Sequence, residues 1–412
     1  IVPTPAQPGY NAAGLPLTPV AAFGAGDILI SEANTEQVKI ELSGSALEAR
    51  CAAKNGDVFS PALHIGKVTE RLYLQPLDSI VSDDANYLKA ARMGGGIYMH
   101  LPYFVTAGPC KDIDFEVKAR HILWDGKWYQ DALKIPALSM RQKSVFFTNE
   151  AALKTNGPRY VDASIAPGTL AGLESSFSRI NQFYEETLEA RPLNGVGVVV
   201  ALVHNKGNYS GFGGDSLNII RMSYDNPSPK DLSTLEQVFP ATFAHELAHK
   251  LQSARLFTNP LGRQIVEGSA DFFKILVLRN SGLITESEAK QRVLKAAADC
   301  AALSDSRSLR EKISARAVNY REPYDCGMVY YFVSYYSSGL SGRTYVETLR
   351  RAFSGETNYA GQTDTLCMLF EPSCTNERLN GVIGNKVQYS QQVDWLAGQL
   401  AAHPLPTLEP RK

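Results

Sequence analysis

The chain has 412 residues, of which 44% are hydrophobic and 20% charged, and its formal net charge is −1. This balance excludes a strongly basic surface for nucleic acid or anionic membranes, and the composition is that of an ordinary globular protein. The length exceeds one core, so several domains are expected, and the longest apolar runs, such as Val196–Val203, are too short to span a bilayer.

Residues 1–25 contain Pro3, Pro5, Pro8, Pro16 and Pro19 and begin with Ile rather than Met. They read as the flexible arm of a processed chain. Six cysteines are present and none forms a Cys-x-x-Cys pair. An even set without zinc-ribbon spacing fits disulfides in an exported protein, periplasmic or extracellular. The expected pairs are Cys51–Cys110 and Cys367–Cys374, which leaves Cys300 with Cys326.

Residues 26–142 are predicted to form a β-sandwich. Val38–Leu42, Arg71–Leu74, Ile97–Leu101 and Phe115–Ala119 alternate apolar and polar residues between Gly, Pro, Asn and Asp clusters. Trp124-Asp125-Gly126-Lys127-Trp128 predicts a hairpin with an Asp-Gly turn. A second domain is expected over 143–283. It holds a strand at Tyr160–Ser164 and a helix over Leu170–Ala190 with Leu173, Phe177, Ile180, Phe183 and Tyr184 on one face. A buried strand follows at Gly195–His204, then a glycine-rich loop over Gly207–Gly214 and an edge strand at Leu217–Met222. Residues 284–412 read as a helical domain contributing to the active-site cleft. Candidate helices from Gln264 onward are Gln264–Arg279, Glu286–Ala302, Tyr324–Tyr336, Tyr345–Phe353 and Gln391–Ala402. Thr285 and Glu288 are placed as a capping box.

The chemistry concentrates at His245-Glu246-Leu247-Ala248-His249. On a helix, positions four apart are offset by only about 40°. Both imidazoles can therefore reach one tetrahedral Zn²⁺, with Glu246 beside a metal-bound water. Pro240 is expected in the first turn of this helix. A third ligand is needed. The metzincin positions that would supply it hold Gln252 and Arg255, which excludes that class. Glu267, eighteen positions beyond His249, completes a His₂Glu set with one position left for water. Asp271, one turn later, is placed to accept a ring N–H from a ligating histidine.

These residues resemble the gluzincin metallopeptidases, most closely the catalytic domain of M1-type aminopeptidases. That family pairs a His-Glu-x-x-His helix with a helix bearing Glu-Gly-x-Ala-Glu/Asp and then an aromatic. Here Glu267-Gly268-Ser269-Ala270-Asp271-Phe272 matches. The resemblance implies a multidomain α+β chain with a thermolysin-like α/β catalytic domain and one Zn²⁺. It implies His245, His249 and Glu267 as ligands and Glu246 as the catalytic base. It also implies an oxyanion-stabilising Tyr in a Tyr-x-x-Gly context. Tyr324-Asp325-Cys326-Gly327 supplies this, with Tyr320 one turn earlier as a second candidate. The family's Gly-x-Met-Glu-Asn segment is missing: Gly211-Phe212-Gly213-Gly214-Asp215-Ser216-Leu217-Asn218 stands in its place. Asp215 is either a replacement for the lost substrate-anchoring carboxylate or a turn residue.

The expected activity is hydrolysis of peptide bonds in a peptide or protein substrate, with aminopeptidase action implied by the resemblance. No nucleic-acid partner and no integral membrane segment are expected. A peptide is expected to lie along the Leu217–Met222 edge. Endopeptidase action, or hydrolysis of a non-peptide amide, would use the same residues. A non-catalytic zinc-containing binding protein is the alternative that Glu246 argues against, because a structural site needs no base beside its ligands.

Overall fold

Extended segments become strands where a partner is in register, and the first eight strands form one paired network. The computed structural model describes residues 28–42, 72–77, 90–104, 114–153, 157–188, 196–204, 210–253, 256, 259–354 and 376–408. The arm at 1–25 lies outside them, as do Cys51, Cys110, Cys367 and Cys374. Strands β1 (Ile28–Asn34), β2 (Gln37–Leu42), β3 (Leu72–Pro76), β4 (Ala90–Met93), β5 (Gly96–His100), β6 (Phe115–Trp124), β7 (Lys127–Ile135) and β8 (Ser144–Thr148) form one network. Its order is β3-β2-β1-β6-β8-β5-β4, with β7 paired to β6.

Residues 26–142 are read from sequence as a β-sandwich; the described strands there form one hydrogen-bonded network joined through β6. Phe115–Lys118 pair in parallel with β1, whereas His121–Leu123 pair with β8. The register breaks between Ala119 and Ile122. A bulge there bends the strand and lets one chain serve two neighbours on the same side. The β6–β7 turn is as predicted: Asp125 (φ 46°) and Gly126 (φ 68°) both lie in the left-handed region that a two-residue hairpin turn requires.

A second, four-stranded sheet has the order β11-β12-β10-β9. It contains β9 (Arg159–Val161), β10 (Gly197–Val203), β11 (Gly211–Ser216) and β12 (Ile219–Asp225). β9, β10 and β12 are parallel, and β11 is antiparallel to β12. β10 is buried at every residue, which explains its unbroken apolar run. Two expectations change. Residues 211–216 are not loop but the edge strand, and the strand predicted at Leu217–Met222 starts at Ile219 and is interior. Glycines have low strand propensity, yet six register pairs with β12 hold the segment extended. The two sheets pack through Tyr98, Leu123, Trp128 and Phe146 against Tyr160, Val199, Ala201 and Ile219. Gly197 permits this contact, since a Cβ there would sit 2.9 Å from Leu123 Cδ2.

The helices are α1 (Pro167–Gln182), α2 (Pro229–Leu232), α3 (Leu235–Ala248), α4 (Gly262–Asn280), α5 (Glu286–Leu303), α6 (Leu309–Ser314), α7 (Glu322–Ser338), α8 (Gly342–Ser354), α9 (Glu377–Val382) and α10 (Lys386–Ala402). On α1 the predicted face is the buried one: Leu173, Phe177 and Ile180, continued by Phe183 and Tyr184 in a closing π-type turn. The predicted capping box forms at α5, where Thr285 and Glu288 satisfy each other's backbone N–H. Cys300 on α5 and Cys326 on α7 are joined by a disulfide.

The chain is mixed α and β and parts into two compact units. One is Ile1–Ala171 with Asn194–Glu236, and the other is Gly172–Leu193 with Gln237–Lys412. The sequence reading sets its boundaries at 142/143 and 283/284. Both sheets belong to the first unit, and most of the helical chain to the second. Among the described residues no helix is long and apolar enough to cross a membrane.

Candidate metal centre

The histidine helix is set by its apolar side. Phe239, Phe243, Ala244, Leu247 and Ala248 are buried. Phe243 packs on Phe177 at 4.5 Å between ring centroids, and the Tyr184 hydroxyl donates to the Ala244 carbonyl at 2.6 Å. The helix starts at Leu235, so Pro240 lies in its interior rather than its first turn. The missing N–H costs α3 one i→i−4 hydrogen bond. Helical hydrogen bonding tightens at Ala248, and His249 opens a 3₁₀ turn over His249–Leu251.

Three ligand atoms converge. His245 Nε2 and His249 Nε2 are 3.2 Å apart, and Glu267 Oε2 is 3.3 Å from the first and 3.7 Å from the second. Ligands about 2.0–2.1 Å from a tetrahedral zinc stand about 3.3–3.5 Å from one another. The triangle fits such an ion, and these three are the group among the described residues that could hold a metal.

Each imidazole is oriented from behind. His245 Nδ1 donates to Asp271 Oδ1 at 2.6 Å, and Lys274 Nζ donates to the same oxygen at 2.6 Å. His249 Nδ1 lies 2.8 Å from Gln252 Oε1. The Gln252 Nε2 donates to the Val266 carbonyl and to Ser269 Oγ, both at 2.8 Å. A carbonyl only accepts, so the Gln252 amide must present its oxygen to His249. That fixes the proton on Nδ1 and leaves Nε2 of His249 as a lone pair facing the triangle.

The electrostatics of the metal-free site follow from these contacts. Burial lowers the His245 pKa, but Asp271, Glu267 and Glu246 overcome it and raise it to about 10. Burial and the His245 charge lower His249 to about 4. Burial would raise the Asp271 carboxyl, yet Lys274 and His245 hold it well below the usual carboxylate range. Glu267 is likewise lowered by the two histidines against the effect of burial. At neutral pH one proton therefore sits on His245, in the place a metal ion would take. Metal binding must expel it. The expected result is proton release on titrating the protein with zinc at pH 7. Apparent affinity should rise up to about tenfold per pH unit until His245 deprotonates near pH 10, and fall on acidification. Calorimetry in buffers of different ionisation enthalpy measures this, and a pH-independent affinity would refute it.

Tyr324 reaches the site from α7. Its ring stacks on His245 with centroids 5.9 Å apart at 27°. Burial, with the Glu267 charge, pushes its hydroxyl above the ordinary tyrosine value, so it stays a donor through the neutral range. The second candidate, Tyr320, is 70% exposed. α7 comes this close because α4 and α7 cross glycine to glycine. A Cβ on Gly268 would lie 2.4 Å from Gly327 Cα, and one on Gly327 would lie 2.6 Å from Gly268 Cα. The Tyr331 hydroxyl ties the same pair of helices by donating to the Ile265 carbonyl at 3.0 Å.

Asp215 is in β11, not in a turn. Its Oδ1 accepts from the Tyr98 hydroxyl at 2.7 Å and its Oδ2 from Arg221 Nε at 2.8 Å. Sequence reasoning did not single out Gln252, Ser269, Lys274 or the Gly268/Gly327 pair as parts of the site. Gln252 enters the sequence reading only as a lost metzincin position, and Gly268, Ser269 and Gly327 only as residues inside the motifs quoted for Glu267 and Tyr324.

Comparison with known proteins gives a likeness of fold. No protein-family model matches the chain, and no curated protein matches it. Among solved structures, an aminopeptidase N family protein from Idiomarina loihiensis is similar with a TM-score of 0.53 and 12% identity. The match covers 85% of this chain and 77% of that one.

Proposed function

We propose that this protein is a zinc-dependent peptidase of the gluzincin kind, hydrolysing peptide bonds with Glu246 as general base. The convergence of His245, His249 and Glu267 carries the proposal. The likeness in fold to an aminopeptidase N family protein supports a hydrolase.

Bound at the triad, Zn²⁺ would supply Lewis acidity toward a carbonyl and a lowered pKa for water. Glu246, buried and adjacent in the chain to His245 but outside the triad, takes the proton from the attacking water and delivers it to the leaving amine. Tyr324 donates its hydroxyl to the oxygen on which negative charge develops. Asp271 and Gln252 hold the imidazoles so that no reorientation is needed during the reaction. A site that only holds structure has no use for Glu246 or Tyr324.

Both oxygens of Asp215 are already engaged, which weighs against its serving as an anchor for a substrate amino group. The reading therefore stands at peptide-bond hydrolysis, without a preference for free amino termini. Export to an oxidising compartment belongs to the same proposal and is supported by the Cys300–Cys326 disulfide.

Zinc at one ion per chain is expected. Cleavage of a diverse peptide library should be lost on chelation and regained with zinc. A zinc-loaded protein that leaves every peptide intact refutes the reading. For Tyr324→Phe, kcat should fall about 10²–10³-fold, the cost of one oxyanion donor, with zinc content and KM near wild type. An unchanged kcat would remove Tyr324 from the mechanism.

A further inference from the structure

We infer that Arg263 forms a subsite for a substrate carboxylate beside the metal centre, which makes it a specificity-determining residue; this rests on the peptidase reading above. Arg263 lies in the first turn of α4, four residues before Glu267. On a helix that spacing puts the two side chains on one face, about 5–6 Å apart at Cβ. Arg263 is exposed and makes no ion pair among the described residues.

Its position is unfavourable for α4 itself. A cation at a helix N-terminus opposes the helix dipole. No acidic residue in the first turn of α4 compensates it. Helix stability therefore gives no reason for an arginine here. The charge is nevertheless felt at the site, since it opposes the upward shift of the Tyr324 hydroxyl.

A second guanidinium stands at the N-cap of α7. Arg321 is 48% exposed, pairs with Asp325 at 2.9 Å and lies 5.5 Å from the Tyr324 ring centroid. Arg321 is already held by that carboxylate, so Arg263 is the group left to bind one from the substrate. A scissile carbonyl polarised beside Tyr324 would leave a carboxylate one or two residues along the chain within reach of Arg263, at about 3.3–3.6 Å per extended residue. The chemistry is that of a carboxylate, carried either by an acidic side chain or by a peptide C-terminus. A guanidinium binds it through paired N–H donors.

The test uses the full-length, zinc-loaded Glu246→Gln protein, in which binding is read without turnover. Two arms of matched peptides separate the sources: Glu against Gln near the scissile position, and free C-terminal acid against amide. In one arm the carboxylate member should bind about tenfold more tightly, the effect of one charge-assisted contact. Arg263→Gln should bring that ratio close to one, Arg263→Lys should restore part of it, and added NaCl should shrink it. Equal binding in both arms overturns the inference. So does a ratio that survives Arg263→Gln, or no binding of any peptide at millimolar concentration. Peptide cleavage by the wild type is scored separately. A protein that prefers carboxylates yet cleaves nothing keeps this subsite and loses the peptidase reading.

Discussion

Replacing Glu246 with Gln is expected to leave zinc bound and to lower kcat by about 10²–10⁴-fold, the usual contribution of a positioned general base. Glu246 is 6% exposed and lies outside the ligand triangle. The amide keeps the volume and packing of the side chain but cannot take up a proton. Zinc content and thermal stability should therefore stay near wild type while turnover collapses. Glu267→Gln should behave differently, because it weakens a ligand and should lower zinc occupancy together with activity. The two variants are compared by metal analysis on the protein used for kinetics. A Glu246→Gln protein with wild-type kcat would end the general-base assignment, whatever its zinc content.

Gly327→Ala is expected to damage both stability and turnover although residue 327 touches no reacting group. Its Cβ would lie 2.6 Å from Gly268 Cα and 2.7 Å from the Gln264 carbonyl oxygen. Both are backbone atoms, so the helices must separate by about an ångström. Overpacking of this kind costs about 1–3 kcal/mol, and each kcal/mol lowers the melting temperature by about 2–4 °C in a unit of this size. The same separation withdraws Tyr324 from His245. A misplacement of about 1 Å can cost up to about 10²-fold in rate, so kcat should fall with zinc retained and KM little changed. Gly268→Ala acts on the same contact. The double variant should therefore cost clearly less than the sum of the two singles, since one separation relieves both clashes. Calorimetry and steady-state kinetics on the three proteins check this. Full additivity, or a normal kcat in either single variant, would refute the positioning role.

Much of the site was legible because its information is local. The spacing of His245 and His249 follows from helical period alone, and the Thr285–Glu288 box and the Asp125-Gly126 turn rest on a few neighbouring backbone angles. The loop-or-strand decision at Gly211–Ser216 was not legible. Its glycines lack side chains to declare a period, and extension comes only from pairing with β12. The fork in β6 was hidden for the same reason, since a bulge depends on which strands arrive on each side.

The amino-acid sequence by itself determined which groups are available for metal chemistry: two imidazoles at ligand spacing, a carboxylate on the following helix, and a glutamate between the histidines. Such patterns are readable because a helix converts separation along the chain directly into direction. Only the tertiary structure decided that Glu267 Oε2 closes a triangle with both Nε2 atoms, and that Gln252 and Asp271 fix the two tautomers. It alone stacked Tyr324 on His245, left Tyr320 exposed and engaged both oxygens of Asp215. Those outcomes depend on how closely separate elements approach, which at Gly268 and Gly327 is set by the absence of two side chains.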